Sequence, residues 1–308
     1  MKYLITGVSG LLGSNLAFNL SNKGNEIVGL DLIRVNIPKV KFIFNDLRDH
    51  ASLSRIMKAE RPEAVIHCAA ITDVDWCETN EQEAFRINTA ATFELYQLAK
   101  EVGAQFVFIS TDSVFSGTQN SPYREEDAIA PLNIYAKTKA EAEKNLNMGK
   151  DCLILRTNIF GYNLLDKNSF SEWIQESLHN KRGLNMFEDV YFSPVLVNLF
   201  PEIIAELLVR RKTGIFHLSS TGGVSKYSFA LALASAFGME DNFIKPSCLE
   251  NVELKAARPK YMILDNKKLC TYLKITIPDV YQMISKYKIL YENNYHTILK
   301  SFKARGEI

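Results

Sequence analysis

The sequence predicts an α/β protein, a doubly wound parallel sheet followed by a smaller C-terminal α/β unit. Three observations predict it. Short apolar runs alternate with helical patterns through the first half of the chain. A glycine-punctuated turn, Gly7-Val8-Ser9-Gly10-Leu11-Leu12-Gly13, directly follows the first of those runs. After about Arg156 the alternation gives way to longer loops that contain Gly161, Pro194, Gly222, Gly223, Pro246 and Pro259.

In chain order, residues 3–5 read as the first strand and 11–20 as the first helix. Residues 27–30, 42–44, 64–66, 106–109 and 153–155 read as strands two to six, each an unbroken apolar run. Such runs are those of parallel strands covered on both faces, and the alternation implies right-handed crossovers. Helices are expected around 52–59, 81–102 and 135–146. In the second half, helices are expected near 169–178, 199–208 and 227–237, with a strand at 215–218. The lysine-dotted tail, 286–308, reads as a solvated helix and chain end. Residues 1–160 would form the first domain, completed by segments from about 190–220, and 161–308 mainly the second.

Of the 308 residues, 47% are hydrophobic and 23% charged, an ordinary globular balance with ample material for a core. A formal net charge of +1 gives no basis for a nucleic-acid or membrane partner. Five scattered cysteines without a C-x-x-C pair read as reduced thiols of a cytoplasmic protein. The apolar N-terminal stretch is interrupted by Gly7, Ser9, Gly10, Gly13, Ser14 and Asn15, unlike a signal peptide. No run approaches the ~20 apolar residues that span a bilayer.

The turn at 7–13 is the first chemical signal. Between a strand and a helix, its glycines permit a tight turn, let backbone N–H groups reach a pyrophosphate, and let helix and strand pack closely. The helix N-terminus adds positive potential. Gly7, Ser9, Gly10, Leu11, Leu12 and Gly13 are therefore expected to cradle a dinucleotide in a Rossmann-type domain. Asp31 ends the second strand, where a carboxylate accepts from adenosine ribose hydroxyls and repels a 2′-phosphate. The expected cofactor is NAD or NADP; Asp31 favours NAD, and Arg34 keeps NADP open.

Tyr135-Ala136-Lys137-Thr138-Lys139 is the second signal. On a helix Lys139 lies one turn from Tyr135 on the same face. A cation about 4.5 Å from a phenol, at an effective dielectric near 20, favours phenolate by roughly 3–4 kcal/mol. That would draw the tyrosine from ~10 towards 7, where it exchanges protons with a carbonyl or alcohol oxygen. The spacing is common on surface helices; its weight comes from following the fifth strand of a nucleotide-binding sheet. Ser110 and Thr111 end that strand, where open α/β sheets bind ligands. Thr111 is the expected donor to a substrate oxygen, with Ser110 behind it.

Other reactive residues read as structural. His67 beside Cys68 invites a metal or nucleophile, but strand neighbours point to opposite faces, and no ligand cluster follows, so no metal site is expected. His67 and His217 read as satisfied core histidines. Cys77 lacks a basic neighbour to make it a thiolate.

These residues together resemble the extended short-chain dehydrogenase/reductase superfamily, and within it the dTDP-4-dehydrorhamnose reductase family. The matching stretches are residues 6–13, Asp46-Leu47, Cys68-Ala69-Ala70, 72–78, Ile87-Asn88, 110–117, 131–139 and Leu155-Arg156-Thr157. Later echoes are 214–218, 225–230, and Arg258-Pro259 followed by Leu264-Asp265. The resemblance implies a Rossmann-type domain with a smaller C-terminal substrate-binding domain, and a Thr111, Tyr135, Lys139 catalytic set in which Lys139 also binds the nicotinamide ribose. It implies Asp46 near the adenine beside Leu47, and Cys68, Ala69 and Ala70 lining the cofactor channel. Asn88 would stabilise the active-site helix and take part in a proton relay. Thr72, Val74, Asp112, Ser113 and Arg258 would lie on the sugar-nucleotide side.

The implied reaction is hydride transfer to C4 of a 4-keto-6-deoxy sugar nucleotide, with Tyr135 protonating the new alkoxide. The similar 4,6-dehydratases carry Asp-Glu after the threonine, the glutamate serving as base. Ser113 stands in its place here and disfavours dehydration. Other departures are Asn158-Ile159-Phe160, where the reductases show a tryptophan, and Tyr191-Phe192-Ser193-Pro194, a loose version of Gly-x-Pro-Thr. The same resemblance reaches the regulatory β subunit of methionine adenosyltransferase, a cofactor-binding protein with a protein partner. An epimerase on this scaffold is a further alternative. Homodimerisation is expected from the resemblance alone.

Overall fold

The computed structural model describes residues 1–146 and 149–304. Its first half runs β1 (Lys2–Thr6), α1 (Leu11–Asn22), β2 (Glu26–Asp31), β3 (Val40–Phe44), α2 (His50–Glu60), β4 (Ala64–His67), α3 (Val74–Thr79), α4 (Glu81–Phe85), α5 (Ala91–Glu101), β5 (Gln105–Ile109), α6 (Ile134–Asn145) and β6 (Leu153–Thr157). The second half runs β7 (Ile159–Phe160), α7 (Phe170–His179), β8 (Leu184–Phe187), β9 (Tyr191–Phe192), β10 (Val195–Leu196), α8 (Phe200–Val209), β11 (Gly214–Leu218), β12 (Val224–Ser225), α9 (Lys226–Phe237), β13 (Ile244–Ser247), β14 (Tyr261–Met262), α10 (Lys267–Leu273), α11 (Val280–Glu292) and α12 (Tyr295–Ser301).

Seven strands form one all-parallel sheet in the order β11-β6-β5-β4-β1-β2-β3, so the chain reverses direction between β1 and β4. That switch point is where open α/β sheets open a crevice at their carboxyl ends. Alternate residues of each strand feed opposite layers. Tyr3 and Ile5 of β1, with Ala64 and Ile66 of β4, pack against Leu16, Ala17 and Leu20 of α1 and Ile204 and Leu207 of α8. Leu4 and Val65 face the other way, onto Leu53 and Met57 of α2, Leu95 and Ala99 of α5, and Ala142 of α6. Burial on both faces explains why these strands read as continuous apolar runs. β11 joins the sheet at its edge through register pairs such as His217 with Arg156.

Three parts differ from the sequence reading. The helix expected over 81–102 contains a π-turn, Arg86–Ala90, between α4 and α5. There Asn88 turns fully inward, a device that recurs at functional sites. α3, six residues capped by Asp73, has no counterpart in the sequence reading. The tail is also more buried than its lysines suggest: Val280, Met283, Ile284 and Tyr287 line one face of α11 at i, i+3, i+4 and i+7 and enter the core. Reading that helix from Lys286 cuts the repeat in two. Tyr295 and Leu299 of α12 are also core residues, and the Tyr295 hydroxyl donates to Asn15 of α1 at 2.7 Å. Residues 305–308 of that tail lie outside the described residues.

The turn after β1 needs glycine at two positions. Gly7 has φ +68°, and a Cβ there would lie 2.8 Å from the Cα and N of Ala69. A Cβ on Gly13 would fall 2.1 Å from the Gly7 carbonyl oxygen, so α1 presses directly on the turn. Gly13→Ala is accordingly expected to destabilise the protein by about 1–3 kcal/mol through overpacking. Urea denaturation measures this, and an unchanged midpoint would mean the turn yields freely.

Candidate active site

The turn and α1 form the first wall of the crevice. Gly10 is the N-cap of α1, and no side chain caps that terminus. The first-turn N–H groups, those of Leu11, Leu12 and Gly13, thus need an acceptor from outside the helix. Ser9 is buried, and its hydroxyl donates to the Ile33 carbonyl at 2.8 Å. The Asp31 carboxylate accepts from the N–H groups of Ser9 (3.0 Å), Leu32 (2.7 Å) and Ile33 (3.1 Å). It therefore ties the turn to the end of β2 and keeps about one of its roughly four acceptor sites free. Asp46 accepts from Arg48 Nε at 2.9 and 3.0 Å, and the Arg48 guanidinium holds its carboxyl below the ordinary range. Leu47 is half-buried beside it. Across the crevice, Cys68, Ala69 and Ala70 follow β4 and are half-buried, with the Ala69 N–H donating to Thr6 Oγ1 at 3.3 Å.

The second wall carries Thr111, Tyr135 and Lys139. Thr111 lies two residues beyond β5 in extended conformation, 6% exposed; its hydroxyl accepts from the Ser113 N–H and donates to Asp112, both at 3.1 Å. Tyr135 lies in the first turn of α6, whose N-terminus is held from three sides. Asn133 caps it and donates to the Ala257 carbonyl at 2.8 Å, while Glu78, at the end of α3, accepts the Ile134 N–H at 3.0 Å. Asn88 donates to Thr138 Oγ1 at 3.1 Å and to the Ile71 carbonyl, and accepts the Ile71 N–H. Its amide is engaged within the protein, so it braces α6 and the strand-four loop rather than reaching for a cofactor.

Electrostatics correct one expectation. Burial pushes the Tyr135 phenol well above its ordinary value, opposed by the Thr111 hydroxyl and reinforced by Asp112 and Cys77; Lys139 is not among the groups that shift it. The Lys139 ammonium lies 4.0 Å over the Phe108 ring centroid, and burial lowers it to about 7 against the charges of Glu143 and Cys68. Desolvation outweighs the cation that the one-turn spacing was expected to place against the phenol, so Tyr135 is held protonated.

One helical turn beyond Lys139, Glu143 is 0% exposed and meets Arg156 of β6, also 0% exposed. Arg156 Nε donates at 3.0 and 3.2 Å and Nη2 at 2.7 Å to that carboxylate, which also accepts the Ser110 hydroxyl at 2.5 Å. Arg156 Nη1 reaches the Glu125 carbonyl at 3.2 Å. A charged residue inside the buried run of β6 was the available sequence signal for this network.

The sugar-side candidates divide into two groups. Asp112 is 1% exposed and accepts from Thr111, from Ser113 at 3.2 Å and from Asn158 at 2.8 Å. It organises the floor of the site, and burial raises its carboxyl. Thr72, exposed, and Val74, half-buried, lead into α3, where Asp75 pairs with Arg258 at 3.0 Å. Arg258 thus belongs to this rim, away from the hydrogen-bond partners of Asp112. Lys226 and Asn158 were missed by sequence reasoning. Lys226, on α9, stacks on Phe192, which pairs in register with Met262 beside Ser113, a placement with no local signal.

The discounted residues are placed as expected, with one exception. His67 is sandwiched between Thr6 (2.7 Å) and Thr92 (2.9 Å), and burial lowers it to about 3. Burial raises the Cys77 thiol to about 11 and Cys68 to about 12. His217 is the exception: Nδ1 meets the Tyr123 carbonyl at 3.1 Å, but Nε2 is buried without a partner among the described residues.

Residues 1–289 match the family model described as RmlD substrate binding domain. The spore coat polysaccharide biosynthesis protein SpsK of Bacillus subtilis (strain 168) is 31% identical over 270 residues, 87% of this chain and 90% of that protein. Methionine adenosyltransferase 2 subunit beta of Pongo abelii is 31% identical, covering 88% of this chain and 82% of that one. Among solved structures, the dTDP-4-dehydrorhamnose reductase of Bacillus anthracis str. Ames, in complex with NADP, superposes with a TM-score of 0.84 at 28% identity, covering 94% of this chain and 98% of its own. The resemblance read from the sequence is thereby borne out.

Two outcomes follow from the buried groups. Removing one partner of the Glu143–Arg156 pair leaves a charge stranded, so Glu143→Leu or Arg156→Met should each cost about 3–5 kcal/mol, and the double variant less than their sum. A double-mutant cycle in urea checks this, and simple additivity would show that the pair is not coupled. Lys139 carries a pH signature. Below pH 7 it is protonated folded and unfolded, and its buried charge destabilises in full. Between about 7 and its ordinary 10.5 the unfolded chain holds a proton that the folded chain has released, so stability rises with pH. Lys139→Met should therefore raise the melting temperature more at pH 6 than at pH 9; an equal gain at both would mean Lys139 titrates normally.

Proposed function

The chain belongs to the RmlD substrate binding domain family, and we propose that it is an NAD(P)H-dependent reductase of a nucleotide-linked 4-keto-6-deoxy sugar. The observation that carries this reading is the packing of α6, with Tyr135 in its first turn, on the segment after β5 that begins with Thr111, beside the switch point of the sheet. The glycine turn supports the cofactor, since the α1 N-terminus that it opens has no side-chain acceptor of its own. Gly7, Ser9, Gly10, Leu11, Leu12 and Gly13 would hold the pyrophosphate, and Asp31 a ribose hydroxyl through its remaining acceptor site.

A bound dinucleotide supplies the hydride. Thr111, turning its one hydroxyl proton from Asp112, donates to the substrate carbonyl oxygen and holds it against Tyr135. Because burial keeps the phenol protonated at neutral pH, Tyr135 is equipped to give that proton to the oxygen as negative charge develops. Lys139, close to neutrality in its titration, can return a proton to the phenolate or stabilise it by charge. Asn88 and Glu78 hold the helix on which both groups stand. The preference for NAD over NADP rests on the Asp31 charge, weakened by its three backbone donors.

A second reading is a cofactor-binding regulatory subunit, and one similar protein is a methionine adenosyltransferase 2 subunit beta. The Lys139 ammonium held over the Phe108 ring favours it. NADH and NADPH oxidation with dTDP-4-dehydrorhamnose separates the two. The reductase reading expects turnover that falls about 10²–10⁴-fold in Tyr135→Phe while NADH still binds. Tight cofactor binding with no turnover of any 4-keto sugar nucleotide would favour the regulatory subunit.

A further inference from the structure

Lys226 stands where a lysine destabilises. It is the first residue of α9, whose N-terminus carries positive partial charge, and no acidic residue follows in the first turn. The residue is half-buried, and among the described residues its ammonium has neither an ion pair nor a hydrogen-bond acceptor. The ammonium lies 3.3 Å from the centroid of the Phe192 ring and 4.6 Å from that of Phe170. Those rings hold it through their π faces, and among the described residues no oxygen pairs with its three N–H donors. Burial lowers it to about 8, and Asp112 opposes the shift. Phe192 pairs in register with Met262, whose Sδ lies 3.8 Å from the Ser113 Oγ, which puts Lys226 beside the Asp112-Ser113 turn on the reacting side of the crevice.

Resting on the reductase reading, we propose that Lys226 is a specificity-determining residue that donates hydrogen bonds to ring hydroxyl oxygens of the sugar whose carbonyl Thr111 and Tyr135 hold. Three considerations select this ligand. Unpaired ammonium donors at a site open to solvent call for oxygen acceptors. The nearby Asp112 carboxylate disfavours a dianionic diphosphate at this position but not a neutral hydroxyl. The uncapped terminus of α1, the other anion-seeking feature, belongs to the opposite wall. Phe192 and Phe170 fix the lysine in one direction, which converts a flexible cation into a directional reader.

The test compares dTDP with dTDP-rhamnose by titration calorimetry in the presence of NADP⁺, for wild type, Lys226→Met and Lys226→Arg. Methionine keeps the chain length and the packing on Phe192, and NADPH fluorescence titration reports whether each variant retains its fold. The expected result is that wild type binds dTDP-rhamnose more tightly than dTDP, and that Lys226→Met weakens dTDP-rhamnose alone by about 10- to 100-fold. Lys226→Arg should restore part of the loss. Equal weakening of both ligands would show that Lys226 reads the nucleotide diphosphate, and unchanged affinity that it reads nothing; each overturns the inference but not the reductase reading. Wild type that binds neither ligand overturns the inference together with its premise.

Discussion

The bidentate contact between Glu143 and Arg156 is the constraint on which the geometry of this site depends. α6 is a polar helix, with Lys137, Lys139, Glu141, Glu143 and Lys144 in its middle and last turns, and apolar burial alone would hold it loosely. Hydrophobic contact is also non-directional: it fixes that a helix packs, not its rotation or axial position. A carboxylate gripped by a guanidinium fork fixes both. Because Glu143 lies one turn from Lys139, and because Ser110 precedes Thr111, one buried cluster sets the helix of Tyr135 and Lys139 against the strand end that carries Thr111. Such a pair is weak evidence for net stability, since desolvation consumes most of its attraction. Its contribution here is alignment.

The opposite wall follows the same logic with different chemistry. Asp31 uses three backbone donors to lock the glycine turn before any ligand arrives, and Gly13 lets α1 close on that turn to a distance no side chain permits. Both walls are thus pre-set by contacts internal to the protein, so ligand binding need not supply the ordering. Asn88 joins them: its π-turn places one amide between the loop after β4 and the middle of α6.

Whatever is local or periodic was legible in the sequence. Parallel strands buried on both faces must be apolar throughout, and all six strands expected in the first half form. The one-turn spacing of Tyr135 and Lys139 and the strand-end position of Thr111 are likewise local patterns. Contacts that join distant segments leave no such trace. The pairing of Arg156 with Glu143 across the end of α6, the seating of Lys226 on Phe192 beside Met262 and Ser113, and the docking of Arg258 on Asp75 exist only once the chain has folded. Two-residue strands such as β9 and β12 are too short for periodicity to show. α11 was obscured for another reason: its exposed lysines alternate with the buried stripe and mask it.

The largest departure from local reasoning concerns the charge state of Tyr135. Spacing alone argues for a phenolate stabilised by its lysine, the form suited to take a proton from an alcohol. In the folded protein, desolvation acts on both groups and favours the neutral form of each, raising the tyrosine and lowering the lysine. A protonated phenol is the form suited to give a proton to a nascent alkoxide. A lysine that titrates near neutrality can refill it, since the phenolate, much the stronger base of the two, takes a proton from the ammonium. Burial rather than the neighbouring cation therefore sets the direction in which the proton is ready to move, and that direction is the one carbonyl reduction requires.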